Sequence, residues 1–404
     1  MAISVATAAG AARCQPPDQS QLARFQDKVR LDLTGIPNYT CLETIERAHR
    51  EAHARDFKPV DTIRLEVSSV AGKELFAWPG SRQFEDRQVT AFVDSGTIGA
   101  GMFAMFASNL FVHGAGTREY RGEENLDGRT AVRCDFHLTA QESGFLIATN
   151  ASAVVAASGS FWFDPVSLDL IRLDVYADAI PYSLRLEQAV FRTLYARTQI
   201  GDSDALLPKR SEVTMALFSG EADRNAIEFS QCREYRSEST ITFNAPSPSL
   251  PEVPKPQVRQ VDLPAGLLVR VELETPIDSK TAAVGDPLHA RVLRDVRYKG
   301  DLAVPQGAAI TGHICRLGRS STSAPFAVGI ELSEIEWEGT RATFYAELVD
   351  LNLPRLARHY NQPLIDNEIP GAGIFYIDGA RFRIPPGYHM LWRTLARPTV
   401  QQPR

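Results

Sequence analysis

The stretch Phe92-Val93-Asp94-Ser95-Gly96-Thr97 sets an aspartate in a Ser-Gly-Thr context behind two apolar residues. That context suits hydrolysis by two carboxylates that share one proton. No second such tripeptide occurs, so the partner acid would come from a second copy, and the residues that follow open an apolar helix. The plainer role for Asp94 or Ser95 is to cap that helix, with Gly96 loosening the turn into it. Gly96, Gly99 and Gly101 precede the same helix, but their spacing fits neither phosphate-binding glycine pattern and no lysine follows in place. His49 and His53 stand four apart, as two ligands on one helical face would, yet His-Arg-Glu-Ala-His is not the zinc-protease order. His113, His137, His289, His313, His359 and His389 are scattered, with no Ser or Cys neighbourhood that suggests a triad.

Cys14, Cys41, Cys134, Cys232 and Cys315 form no CxxC pair and no zinc spacing. Their odd number leaves at least one thiol unpaired within a monomer. Cys41, Cys134 and Cys232 lie in strand-like runs, where each is either a small buried hydrophobe or one half of a pair among the three. The residues therefore point to no catalytic group, no metal site and no cofactor, with a hydrolase through Asp94-Ser95-Gly96 as the remotest alternative.

The elements that position these residues are mostly strands. Leu22, Phe25, Val29 and Leu33 repeat at helical spacing, with Gly35 and Pro37 as stop signals, and predict one amphipathic helix. From Asn38 onward short runs alternate apolar and polar residues, as half-buried antiparallel strands do: YTCLETIER, DTIRLEVSSV, ELFAWPG, RTAVRCDFHL, GSFWFDP, DLIRLDVYAD, RSEVTMALF and IEFSQCREY. Turns are expected at Asp127-Gly128, Ser158-Gly159 and Asp164-Pro165. Met102, Phe103, Phe106 and Leu110 recur at spacings of three and four and predict a second helix from Ile98 to Leu110. Two readings fit it: plain core, or a mobile lid over a lipid-type cavity, methionine being adaptable to varied ligands. On the second reading those four residues are the candidate ligand-binding set.

The run Asn244 to Gln260, NAPSPSLPEVPKPQVRQ, is rich in Pro and Ser and reads as an extended linker. Beyond it GLLVRVELETPI, LHARVLRDV, AAITGHIC, FAVGIELSEIEW and RATFYAELVDL alternate again, predicting a small all-β barrel or sandwich. The expected division is a disordered or remnant signal segment at 1–20, a half-barrel at 21–243, the linker at 244–260, a β-domain at 261–355 and an irregular extension at 356–404 with a strand near Ile374 to Ile377. The fold class is mainly β: an antiparallel half-barrel with one or two packed helices, then a small all-β domain. With 404 residues, 44% hydrophobic and 23% charged, the chain can bury a sizeable core, and a net charge of -6 argues against nucleic acid as a partner. No window reaches the ~18 consecutive apolar residues of a membrane-spanning helix. The N-terminal MAISVATAAGAARC lacks a basic region and a strong apolar stretch, so it is read as either a tail or a marginal export signal.

One helix, a long antiparallel meander and an apolar helix inserted partway resemble the lipoprotein-carrier family, the LolA, LolB and RseB-like half-barrels of the bacterial envelope. Phe161-Trp162-Phe163-Asp164-Pro165 followed by Leu170-Ile171-Arg172-Leu173 is similar to their strand, Asp-Pro turn, strand unit. The resemblance covers roughly Gln21 to Phe243 and implies a hydrophobic cavity for acyl chains, with no invariant site residue to carry across. The second domain is similar to the β-domain of TrbI-like conjugation and secretion proteins, through Ile277-Asp278-Ser279, Val284-Gly285-Asp286 and Val304-Pro305-Gln306-Gly307-Ala308. It departs from them in lacking a transmembrane anchor and a long helical pore segment, which implies a stand-alone envelope module. The expectation is a non-enzymatic periplasmic or envelope protein whose half-barrel binds a lipid, an acyl chain or a lipidated partner and whose second domain meets another envelope protein. A structural adaptor of an envelope or secretion assembly, with no cavity, is the alternative.

Overall fold

The structure is a computed structural model that describes residues 19–70, 73–81, 84, 89–93, 96–99, 102–149, 151–235, 259–319, 324–351, 365–379 and 381–397. It is mainly β, with an antiparallel half-barrel sheet and few helices, as the alternating runs predicted. Helix α1 spans Gln19–Thr34 and is followed by strands β1 (Tyr39–Arg50), β2 (Lys58–Val70) and β3 (Lys73–Ala77). Helix α2 (Met102–Ala107) runs on as a π-helical turn, Ser108–Val112. Then come β4 (Thr117–Leu126), β5 (Arg129–Leu138), helix α3 (Ala140–Ser143), β6 (Phe145–Ala148), β7 (Ser152–Phe163), β8 (Leu170–Asp178), β9 (Leu186–Ile200), β10 (Ser203–Leu217) and β11 (Ala222–Glu234). Beyond the linker lie β12 (Arg259–Val261), β13 (Leu268–Leu273), β14 (Ile277–Asp278), β15 (Pro287–Val292), β16 (Val296–Tyr298), β17 (Asp301–Val304), β18 (Ala309–Gly318), β19 (Phe326–Trp337), β20 (Thr340–Thr343), β21 (Ala346–Leu351), β22 (Ile365–Asp366), β23 (Ala372–Ile377), β24 (Arg383–Ile384) and β25 (Tyr388–Thr394). Segments 1–18 and 236–258, which hold the expected tail and most of the linker, lie outside the described residues.

The chain forms two compact units, Met1–Pro37 with Ala100–Phe218, and Asn38–Gly99 with Ser219–Arg404. In the first, an antiparallel meander runs in the order β10-β9-β8-β7-β5-β4, with β6 paired to β7. Phe25 of α1 is fully buried, stacked on Phe163 at 4.1 Å and set edge-on to Phe111 at 5.4 Å. Such burial contributes ~1.5–3 kcal/mol and fixes which face of α1 looks inward. Strand alternation sends Phe161 and Phe163 to that interior and Trp162 to the other face. There Trp162 lies between the guanidiniums of Arg133 and Arg172, and its Nε1–H donates to Glu124 at 2.5 Å. The Asp127-Gly128 turn takes positive φ at both residues, 51° and 89°, the twist a two-residue hairpin requires. At the Asp164-Pro165 turn the Asp164 carboxylate accepts from the amides of Val166 and Ser167, both at 2.8 Å.

Ser158-Gly159, expected as a turn, lies instead inside β7. A Cβ on Gly159 would run into the Asp174 carbonyl oxygen of the neighbouring strand, so the glycine marks a close backbone approach and not a reversal.

In the second unit the order β3-β2-β1-β11 forms one antiparallel sheet, and β12-β20-β19-β18-β15-β13-β25-β21 forms a second, antiparallel but for the parallel pair β12-β20, with β23 on β19 and β22 on β23. The two are joined by Val284-Gly285-Asp286. The Arg64 amide donates to the Val284 carbonyl at 2.8 Å and the Val284 amide to the Thr62 carbonyl at 2.9 Å, a short parallel bridge beside β2. Trp78 stacks on buried His313 at 4.6 Å across the same junction. Strand β23 falls where the sequence placed a strand. The described part of the C-terminal stretch, 365–379 and 381–397, is less irregular than expected: β25 pairs with both β13 and β21 and buries Met390, Trp392 and Thr394. Its alternation was masked by the prolines at 385 and 386 just before it.

Candidate functional site

Helix α2 begins at Met102, later than the Ile98 expected, and ends in a π-helical turn, a rare geometry frequently found at functional sites. Phe106 and Leu110 are buried, while the side chains of Met102 and Phe103 lie outside the described residues. Phe106 meets Phe145 edge-on at 5.1 Å and Phe191 at 5.9 Å, with Phe145 and Phe191 5.3 Å apart. Two polar ties hold the π-helical turn. Asn109 donates through Nδ2 to the Ser143 carbonyl at 2.9 Å, and the Arg118 guanidinium donates to the Leu110 and Ala115 carbonyls. The helix therefore covers an apolar aromatic interior and is fixed at its C-terminal end by its own Asn109 on the α3 backbone and by Arg118 of β4.

Asp94 and Ser95 lie outside the described residues. In the second unit Asp223 binds two partners: His49 Nδ1 at 2.8 Å and the Thr97 hydroxyl, which donates at 2.7 Å. On its other side the His49 ring faces a second carboxylate, Nε2 lying 4.0 Å from Glu51, where a nucleophilic triad would set a hydroxyl or thiol. His53 sits in a turn at φ 65°. Among the described residues no cluster of three metal-ligating side chains occurs.

Cys41 and Cys232 form a disulfide between β1 and β11. It spans a register shift between Thr40 and Leu42, which brings the two cysteines opposite each other. Cys134 is a buried thiol, pushed up to about 12 by its burial. On the same face of β1 as Cys41 lies Glu43, fully buried, with neither carboxylate oxygen hydrogen-bonded. Burial first, and the charge of Glu74 second, hold its carboxyl well above the usual range, and burial pushes Glu74 up to about 8. Burial also raises the Tyr39 hydroxyl on that face.

The second unit also holds a cleft of about 500 Å³. Arg47 and Asp61 close one side as a two-pronged ion pair, Nε to Oδ1 at 2.7 Å and Nη2 to Oδ2 at 2.5 Å. Arg316 and Arg319 enter from β18 and its end, and Asp366, Glu368 and Tyr376 from β22, the turn after it and β23. None of these residues belongs to a motif. They are gathered by strand pairing between distant segments, and the only local trace is a charged residue at a position where strand alternation calls for burial, as at Arg47 and Asp366.

No family model matches the chain, and no curated protein matches it. Among solved structures it is similar to a LolA superfamily protein from Nitrosomonas europaea, with 12% identity, a TM-score of 0.28, and cover of 55% of this chain and 97% of that one. It is similar also to a putative outer membrane lipoprotein-sorting protein domain from Vibrio parahaemolyticus, with 10% identity, a TM-score of 0.28, and cover of 54% and 93%. A DUF1329 family protein from Desulfovibrio piger is a third, with 13% identity, a TM-score of 0.27, and cover of 55% and 95%. The TrbI resemblance of the later strands has no support among them. Among the described residues no helix is long and apolar enough to cross a membrane.

Proposed function

We propose that this chain is a non-enzymatic binding protein of the bacterial envelope whose meander takes up a lipid, an acyl chain or the acyl group of a lipidated partner. The observation that carries the reading is the aromatic interior beneath α2. Phe106, Leu110, Phe111, Phe145, Phe161 and Phe191 are all buried there, under a six-residue helix and a single π-helical turn. A segment that short, held by two side-chain ties, belongs to the low-stability end of a fold and can open locally, and an opened interior would present only apolar surface. The Cys41–Cys232 disulfide supports an oxidising compartment, since such bonds are rare in reducing cytosol. Segments 21–243 and 261–355 are read as the binding module and a partner-facing β-domain.

Native mass spectrometry of the purified full-length protein, followed by organic extraction, tests the reading. A retained acyl species, or saturable uptake of a fluorescent fatty acid weakened by Phe106→Asp with the fold intact, is the expected result. A clean apo mass together with no fatty-acid binding would overturn it. In that case the adaptor reading stands, and one observation favours it: the rings of Phe25, Phe111, Phe161 and Phe163 already contact one another at 4.1–5.5 Å, leaving little room between them.

A further inference from the structure

The cleft of the second unit has charged walls of opposite sign that the aromatic interior of the meander does not explain. Pairing sets Arg316 opposite Gly329, Gly329 opposite Ile374 and Ile374 opposite Asp366. Arg316 and Asp366 therefore end one transverse row across four strands, roughly 14 Å apart at the backbone by ordinary strand spacing. Gly329 is what lets Arg316 lie along that row, because a Cβ there would come within 2.7 Å of the Arg316 Cβ. A register shift between Ile314 and Arg316 turns the arginine to this face.

The remaining charges sort the same way. Arg319, beside Arg316, is held with its guanidinium 4.2 Å over the Phe326 ring. Glu368 stands at the rim beside Asp366, which accepts from the Glu368 amide at 2.9 Å. Asp366 also raises the Tyr376 hydroxyl, though less than burial does. The Arg47 fork is already turned on Asp61, so that pair adds no net charge. Cations thus occupy the β18 side and carboxylates the β22 side.

A lone anion would sit well against Arg316 and badly against Asp366 and Glu368, and a lone cation the reverse. We infer that this cleft binds a small zwitterion, its phosphate or carboxylate against Arg316 in the field of Arg319 and its ammonium against Asp366 and Glu368. Such chemistry occurs in free amino acids and in the phosphoethanolamine headgroup of a lipid.

Isothermal titration of the full-length protein tests this with phosphoethanolamine, with glycine and alanine, and with inorganic phosphate and ethanolamine as half-ligands. The expected result is saturable binding of at least one zwitterion, with each half-ligand at least tenfold weaker. Binding of phosphoethanolamine alone assigns a phosphate at the arginine wall, and binding of the amino acids alone assigns a carboxylate. Arg316→Gln and Glu368→Gln should each weaken the bound zwitterion at least tenfold with the melting temperature unchanged; Glu368 is exposed, so its variant keeps the test open if Arg316→Gln misfolds. No binding of any zwitterion, equal binding of inorganic phosphate alone, or unaltered binding in both variants would overturn the assignment. None of these readouts depends on acyl uptake by the other unit.

Discussion

Arg64 donates through one nitrogen, Nη1, to both carboxylate oxygens of Asp286, at 2.6 and 2.8 Å, and through Nη2 to the Thr281 carbonyl at 3.1 Å. Asp286 in turn accepts from the Ala283 amide at 2.8 Å. Together with the Val284 bridge, the pair fastens the strands after the linker to β2. Asp286→Ala removes the acceptor for both donors, and with the pair partly exposed the expected loss is about 1.5–3 kcal/mol. A urea midpoint lowered by less than a tenth would count against the clasp.

Gly285→Ala should cost more than Asp286→Ala. Its φ of +94° is strained for any other residue, and a Cβ would strike the Arg64 carbonyl oxygen and the Trp78 ring. The Trp78–His313 stack would be displaced with it, so the tryptophan fluorescence of the folded variant should shift as well.

How far these features were legible before the structure varies with their cause. Strands β5 and β19 begin and end at the residues their alternation indicated, Arg129–Leu138 and Phe326–Trp337, because one face of each is buried and the other wet. Strand β4 gave no such pattern. It is an edge strand that buries little besides Leu126, so no face demanded apolar residues. Val284-Gly285-Asp286 drew notice as a likeness to another family, and its role here is the clasp on Arg64. The cleft was not legible at all. Arg316 and Asp366 become neighbours of one row only through three strand pairings and a register shift, none of which periodicity reports.

The Cys41–Cys232 bond closes a loop of 191 residues in sequence separation, and loss of a native disulfide typically costs about 2–5 kcal/mol. Reductant, or Cys41→Ser with Cys232→Ser, should lower the melting temperature by several degrees. A non-reduced digest should contain the two peptides joined; recovery of both as free thiols from protein kept oxidising throughout would contradict the pairing.

Stability should fall as pH rises. Glu43 and Glu74 have carboxyls held above their ordinary range, Glu74 at about 8, so between about 4.5 and the folded value the native state keeps a proton that the unfolded chain has released. Stability contributed by that proton is fully present below the unfolded pKa and is lost by at most ~1.4 kcal/mol per pH unit for each group. Glu74 keeps some exposure and contributes the smaller share. Glu43→Gln removes the more strongly shifted carboxyl without changing shape, and it should flatten the decline between pH 5 and pH 9 in chemical denaturation. An unchanged slope would mean that Glu43 ionises freely in the folded protein.

The ties on the π-helical turn make the acyl reading kinetic. If α2 must lift for a chain to enter, then Asn109→Ala, which removes the bond to the Ser143 carbonyl, lowers the free energy of opening by about 0.5–1.5 kcal/mol, or roughly two- to tenfold in the open population. Uptake of a fluorescent fatty acid should accelerate by that factor in stopped flow. Phe106→Ala acts on the closed state instead: it opens a void beside Phe145 and Phe191 at a cost of about 3–5 kcal/mol in stability, and should tighten binding while lowering the melting temperature. Faster uptake in Asn109→Ala, with global stability lowered by no more than the same ~0.5–1.5 kcal/mol, would identify α2 as the gate. An unchanged rate, with fatty acid still bound, would place the entry elsewhere on the meander.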